Sequence, residues 1–70
     1  MSSSDNTYRI IEIVGSSTNS IEDAIKTGLA RTSETVKHLR WFEVTETRGH
    51  IEDGKIAHYQ VGMKVGFTVE

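Results

Sequence analysis

Apolar and polar residues fall into four patterned runs along this chain. Thr7 to Val14 (TYRIIEIV) is rich in β-branched and aromatic residues, with Tyr8, Ile10, Ile11, Ile13 and Val14 as its apolar members, and reads as a first strand. Gly15 to Asn19 reads as a polar turn. Ser20 is a good N-cap, Asp23 three residues on makes a near relative of the capping box, and Glu22 complements the helix N-terminus. Ile21, Ile25, Leu29, Thr32, Val36 and Leu39 then recur at three- and four-residue steps, one apolar stripe of a helix. That helix is expected to end near Lys37 or His38, where cations suit its C-terminus. Gly28 in its middle costs roughly 1 kcal/mol against alanine, and close packing on a sheet or neighbour would explain it. Two long strands follow, Leu39 to Ile51 and Lys55 to Val69, joined through Asp53-Gly54, a strong hairpin signal. In the last strand Tyr59, Val61, Met63, Val65, Phe67 and Val69 point to the core. His58, Gln60, Gly62, Lys64, Gly66 and Thr68 point away. Phe42 and Val44 share the core face, which turns Trp41, Glu43 and Thr45 outward. The prediction is an α+β fold of order β-α-β-β, a three-stranded antiparallel sheet partly wrapping one helix. Residues 1–6 are expected to form a disordered tail and residues 7–70 a single domain.

Size changes the picture. The chain has 70 residues, and a domain of about that length buries only about 60% of the surface its unfolded form exposes. Such domains recruit disulfides, a metal or oligomerisation. There is no cysteine, and His38, His50 and His58 show no metal-ligand spacing. Self-association is the remaining route. One helix also cannot cover two strands this long, so their overhanging halves would expose apolar side chains and unpaired edges. A net charge of −2 and a pI near 5.9 argue against a general nucleic-acid binder. No apolar run approaches the ~20 residues that cross a membrane, and Met1 to Asn6 lacks the apolar core of a signal peptide. A soluble, cytoplasmic protein is expected. The absence of proline permits uninterrupted strands.

Trp41, turned away from the core, admits two compatible readings. It is an interface anchor, or it is a stacking platform for a flat aromatic ligand. Counting back from the hairpin brings Gln60 near Thr47 or Glu46, with Arg48 close by. An amide offers donors and an acceptor together, which suits the imide edge of a pyrimidine-like ring, and an arginine pairs with a phosphate or carbonyl oxygen. The alternative is a solvated Gln60 and a surface ion pair between Arg48 and Glu46. Glu12, Glu22, Glu43 and Glu46 read as a solvated or ion-paired face rather than as acid–base catalysts. His50 and His58 flank the hairpin and read as a cross-strand pair rather than a metal site. No phosphate-loop, nucleophile-elbow or zinc-protease motif is present.

Three segments in order and spacing, YRIIEIVG (8–15), LRWFEVTETRG (39–49) and YQVGMKVGF (59–67), resemble the dodecin family over nearly the whole chain after residue 6. The resemblance implies assembly into a hollow homododecamer of cubic symmetry, with flavins bound as stacked pairs at subunit interfaces. Trp41 from each of two subunits would sandwich the pair, Gln60 would hydrogen-bond the ring's polar edge, and Arg48 would contact the flavin. The Arg48-Gly49 segment is similar to the bacterial members, which favour FMN, some also binding coenzyme A, and is lacking in the archaeal members, which prefer lumichrome or riboflavin. Where some bacterial members carry arginine this chain has Thr68, which implies weaker phosphate or coenzyme A contacts. The implied function is flavin storage, buffering and photoprotection without turnover. A flavin-dependent redox enzyme, or a structural shell without flavin, is the alternative.

Overall fold

The first strand runs further than its apolar residues suggest. β1 spans Thr7–Ser17 and takes in Gly15, Ser16 and Ser17, which the sequence assigns to a turn. Packing holds those polar residues extended. A Cβ on Gly15 would lie 2.1 Å from the carbonyl oxygen of Ala24, so the strand passes directly against helix backbone. Ser17 Oγ donates to Asp23 Oδ2 at 2.7 Å and accepts the backbone N–H of Asn19 at 2.9 Å. The strand end and helix start thus satisfy each other's polar groups.

Helix α1 spans Ile21–Thr32. Its Ser20 cap accepts the Asp23 N–H at 3.0 Å, as the sequence predicts. The Asp23 carboxylate turns to Ser17 instead of completing the capping box. The helix stops well before Lys37 or His38. Hydroxyls compete for its last carbonyls: Thr32 Oγ1 donates to Gly28 O and Ser33 Oγ to Ala30 O, both at 2.8 Å. The next N–H groups, of Glu34 and Thr35, bond three residues back and tighten the turn. His38, at φ 64°, then redirects the chain.

β2 (Leu39–Glu52) and β3 (Lys55–Val69) follow, so the element order is β-α-β-β. Asp53 (φ 53°) and Gly54 (φ 74°) both occupy the left-handed region, as a two-residue hairpin of this twist requires. The computed structural model describes residues 6–69. The rest of the expected tail, residues 1–5, and Glu70 lie outside the described residues. All strands pair antiparallel in the order β1-β3-β2.

Helix α1 packs on β1 and β3. The core is Ala24, Val61, Met63 and Val65, with Ile11, Ile13, Ile25, Leu29 and Leu39 against it. The helix residues buried deepest are Ala24 and Gly28, beside the apolar stripe rather than on it. A Cβ on Gly28 would sit 3.2 Å from Gly15 Cα and 3.1 Å from Met63 Cε, so the mid-helix glycine sets how closely helix and sheet approach. Phe42 and Val44 pair with Val65 and Met63 and share their face, as alternation predicts. They are nevertheless 44% and 40% exposed, because the helix does not extend over β2. At the hairpin end Ile51 is 70% exposed. The fold measures 57 × 20 × 14 Å with a radius of gyration of 14.7 Å, against about 11 Å for a compact domain of this length.

Candidate functional site

The face of the sheet away from α1 carries the residues singled out above. The pairings run Ile10–Gly66–Trp41, Glu12–Lys64–Glu43, Val14–Gly62–Glu46 and Ser16–Gln60–Arg48 across β1, β3 and β2. Trp41 and Arg48 are an odd number of residues apart, so strict alternation would put them on opposite faces. An irregularity between Val44 and Glu46 leaves Thr45 unpaired and reverses the alternation, which brings Glu46 and Arg48 to Trp41's side. A second irregularity leaves Ala57 unpaired. It moves Gln60 one place along, from Thr47 to Arg48. Such a slip inverts which side chains face each other, so it builds the contact that follows.

Trp41 stands on a floor of glycine. A Cβ on Gly66 would lie 2.4 Å from Cε2 and Cζ2 of the indole and 2.6 Å from Cη2, so the ring lies directly over the backbone of β3. Tyr8 meets it edge-on, centroids 4.9 Å apart and planes at 69°. Trp41 stays 41% exposed. One side of the ring rests on backbone, Tyr8 braces it at a steep angle, and part of its surface is left for a flat partner. The sequence marks Trp41 but not its supports. The available signal was a pair of interior-strand glycines, Gly62 and Gly66, on one face of β3. Glycine weakens a strand and so marks a close approach.

The polar half lies further along. Arg48 Nε donates to Gln60 Oε1 at 2.9 Å, and Arg48 Nη1 donates to Glu46 Oε2. A guanidinium only donates, so this bond fixes the amide orientation: Oε1 is engaged and the NH2 group is left to meet a ligand. Gln60 therefore keeps both NH2 donors and one lone pair of Oε1 beside the guanidinium. The ion pair with Glu46, offered as the alternative for Arg48, coexists with the Gln60 contact. Thr68, the position without arginine, accepts a hydrogen bond from Arg40 Nε at 2.9 Å, so a guanidinium stands beside it. Arg40 is itself unpaired in the ladder, between Leu39 and Trp41.

These two halves share a face but not a pocket within one chain. Six residue steps of β3 separate Gly66 from Gln60, about 20 Å at ~3.3 Å per residue. That is farther than a tricyclic ring reaches. His50 and His58 face each other across the hairpin, rings stacked at 5.2 Å and 15°. Among the described residues no group of three or more His, Cys, Asp or Glu could hold a metal ion.

Comparison with known proteins agrees with this fold. The sequence model of the dodecin family matches residues 7–70. A dodecin of Thermus thermophilus is 46% identical over 63 residues, covering 90% of this chain and 91% of the relative. Among solved structures, a dodecin from Streptomyces davaonensis is 51% identical, covers 96% of this chain and 98% of its own, and superposes with a TM-score of 0.92. A dodecin from Streptomyces coelicolor is 49% identical, with 96% of each chain covered and the same TM-score of 0.92. Fold, length and sequence match together from β1 to the end of β3, and the chain belongs to the dodecin family.

Proposed function

We propose that this protein is a flavin-binding storage and buffering protein that holds FMN, or riboflavin, as stacked pairs at the interfaces of a homododecamer. The observation that carries the reading is the Trp41 indole, laid over Gly66 yet left partly exposed on the face of the sheet away from the helix. An aromatic platform of this kind binds a flat ring by stacking area. The Gln60 NH2 and the Arg48 guanidinium supply donors for carbonyl oxygens at the ring edge. The separation between the two halves supports a shared site, with a flavin on Trp41 of one subunit meeting Gln60 and Arg48 of a neighbouring copy. The exposed Phe42, Val44 and Ile51 and the extended shape favour the same assembly.

The chemistry is photoprotective. An excited flavin stacked on an indole takes an electron from it and returns to the ground state by back transfer, faster than it emits or reacts. No acid, base or substrate pocket takes part, and a ring sandwiched on both faces leaves no room for a substrate. Coenzyme A belongs to the same proposal as a secondary anionic ligand, and the cytoplasm as its compartment. Among the described residues no helix is long and apolar enough to cross a membrane.

The test is FMN added to apo-protein with flavin emission followed. Strong quenching in the wild type that is lost in Trp41→Ala is the expected result. Unchanged emission in the wild type sinks the flavin reading. Quenching that persists in Trp41→Ala removes Trp41 from its role, and steady NADH turnover would establish an enzyme instead.

A further inference from the structure

Arg40 precedes the platform residue and reaches the same face of the sheet. β2 is irregular between Leu39 and Trp41, so Arg40 and Trp41 together oppose Gly66. A bulge of this kind re-aims a side chain. Here it carries Arg40 across β3, where its Nε donates to Thr68 Oγ1 at 2.9 Å. Thr68 follows Gly66 by two residues and shares its face, about 7 Å along the strand from the indole's floor. A guanidinium held through Nε keeps both terminal nitrogens for another acceptor. The tether is a neutral hydroxyl, so the positive charge is held in place without being cancelled. Among the described residues the ion pairs engage Lys26, Arg48 and His50, and none engages Arg40. The other charges of this face are matched or outnumbered. Lys64 lies between Glu12 and Glu43, Arg48 is bonded to Glu46, and Lys55 stands opposite Glu52. Glu43, the acidic residue nearest in the ladder, lies on the far side of Trp41 from Arg40. Arg9 and Lys37 line the groove beside Thr68 and add to the positive charge of that end.

We propose that Arg40 is the phosphate-reading residue of the flavin site: tethered to Thr68 beside the indole, it receives the phosphate of an FMN stacked on Trp41 and so favours FMN over riboflavin. The inference rests on the flavin reading above. The ribityl chain of a flavin spans a length comparable to the step from Gly66 to Thr68. A phosphate at its end carries up to two negative charges and suits the fork of two terminal guanidinium nitrogens. The two arginines of the face thereby divide the ligand. Arg48, bonded to Glu46 and Gln60, presents donors with little net charge and serves the ring edge. Arg40, without a carboxylate among the described residues, serves the anionic tail. The sequence implies weak phosphate contacts from the lack of an arginine at position 68. The bulge of β2 supplies from the neighbouring strand the guanidinium that β3 lacks.

The measurement is the ratio of FMN to riboflavin affinity, from quenching titrations of the assembled protein at low ionic strength. Arg40→Gln removes the charge and keeps a donor for Thr68. It is expected to lower the ratio about three- to tenfold, the effect of one charge removed at a partly solvated site. Thr68→Val keeps the charge and cuts the tether, and is expected to lower the ratio by less, about two- to threefold. Thr68→Arg in the Arg40→Gln background returns a guanidinium from β3 and is expected to restore the ratio. In about 0.5 M salt, where exposed charges are screened within a few ångströms, the wild-type ratio should approach that of Arg40→Gln. An unchanged ratio in Arg40→Gln, or an equal loss of affinity for both flavins, overturns the role of Arg40 and leaves the flavin site standing. A wild type that quenches neither flavin overturns both.

Discussion

Replacing Gly66 with alanine separates support of Trp41 from support of the fold. The new methyl would sit 2.4 Å from two indole carbons, where ordinary contact begins at 3.4 Å, so the ring must rise by 1.0 Å or swing off. Overpacking of this kind costs about 1–3 kcal/mol where neighbours cannot yield. Here they can, because the indole is partly solvated. Losing the edge contact with Tyr8 costs about 0.5–1.5 kcal/mol, and alanine in a strand interior returns about 0.5–1 kcal/mol over glycine. The expected net loss of folding stability is small, about 1 kcal/mol or less.

Binding responds differently. In a sandwich closed by two copies of Trp41, both rings are displaced toward the ligand, and the slot loses about twice the displacement of one. A slot that fits a stacked pair at contact distance cannot absorb that. Stacking on an aromatic side chain is worth about 1–3 kcal/mol per ring in related sites, so FMN affinity should fall by about ten- to a hundredfold. Quenching titrations against FMN and urea unfolding of the same preparation are the two assays. A Gly66→Ala protein that keeps wild-type affinity and quenching would show that the indole does not need this floor, and the platform argument would fail. A protein that fails to fold would place Gly66 in the core instead.

Two further outcomes test other parts of the structure. Gln60→Glu keeps an acceptor for Arg48 but removes the NH2 donors, and should weaken FMN by about tenfold through the lost hydrogen bond and the added charge near carbonyl oxygens; stronger binding would mean that Gln60 presents its oxygen to the ligand. Gly54→Ala meets nothing within 4 Å yet requires φ of +74°, so it should cost about 1 kcal/mol of stability in thermal unfolding while leaving flavin affinity alone.

Much of the fold follows from local pattern. The third strand carries its own alternation and keeps it, and Asp53-Gly54 is a turn by conformational preference alone. The limits of β1 and α1 are set by contacts between distant residues. Gly15 is extended because Ala24 lies on it, and the helix ends where hydroxyls capture its carbonyls. Val36 and Leu39 extend the apolar periodicity past that point, but periodicity records only which face would be buried if a helix continued. The core face of β3 is the one alternation predicts, and Ile25 and Leu29 of the stripe pack against it, but the deepest helix positions were missed for a related reason. Large residues mark a stripe, whereas the closest approach of helix and sheet selects the small ones, Ala24 and Gly28.

The site was legible as residues and not as geometry, and the cause is the unpaired Thr45 and Ala57. Each changes a count by one, and one is enough to exchange faces. Without Thr45 out of register, Arg48 would point toward the helix side, under a strand that the helix leaves bare. Without Ala57, Gln60 would face Thr47. Together they put Arg48 on the face that α1 does not touch and opposite Gln60, beside the candidate residues that alternation already places there. Folding and the proposed binding are thereby divided between the two sides of one sheet. The inner side holds Met63, Val61 and Val65, buried beneath the helix. The outer side is carpeted with Gly62 and Gly66, over which Glu46 and Trp41 lie. Those glycines weaken the strand by about 0.5–1 kcal/mol each, in a chain too small to have much stability to spare. Their presence is explained if the outer face is completed by other copies and by a ligand. A stability screen of the isolated chain would then select against the residues that make the site.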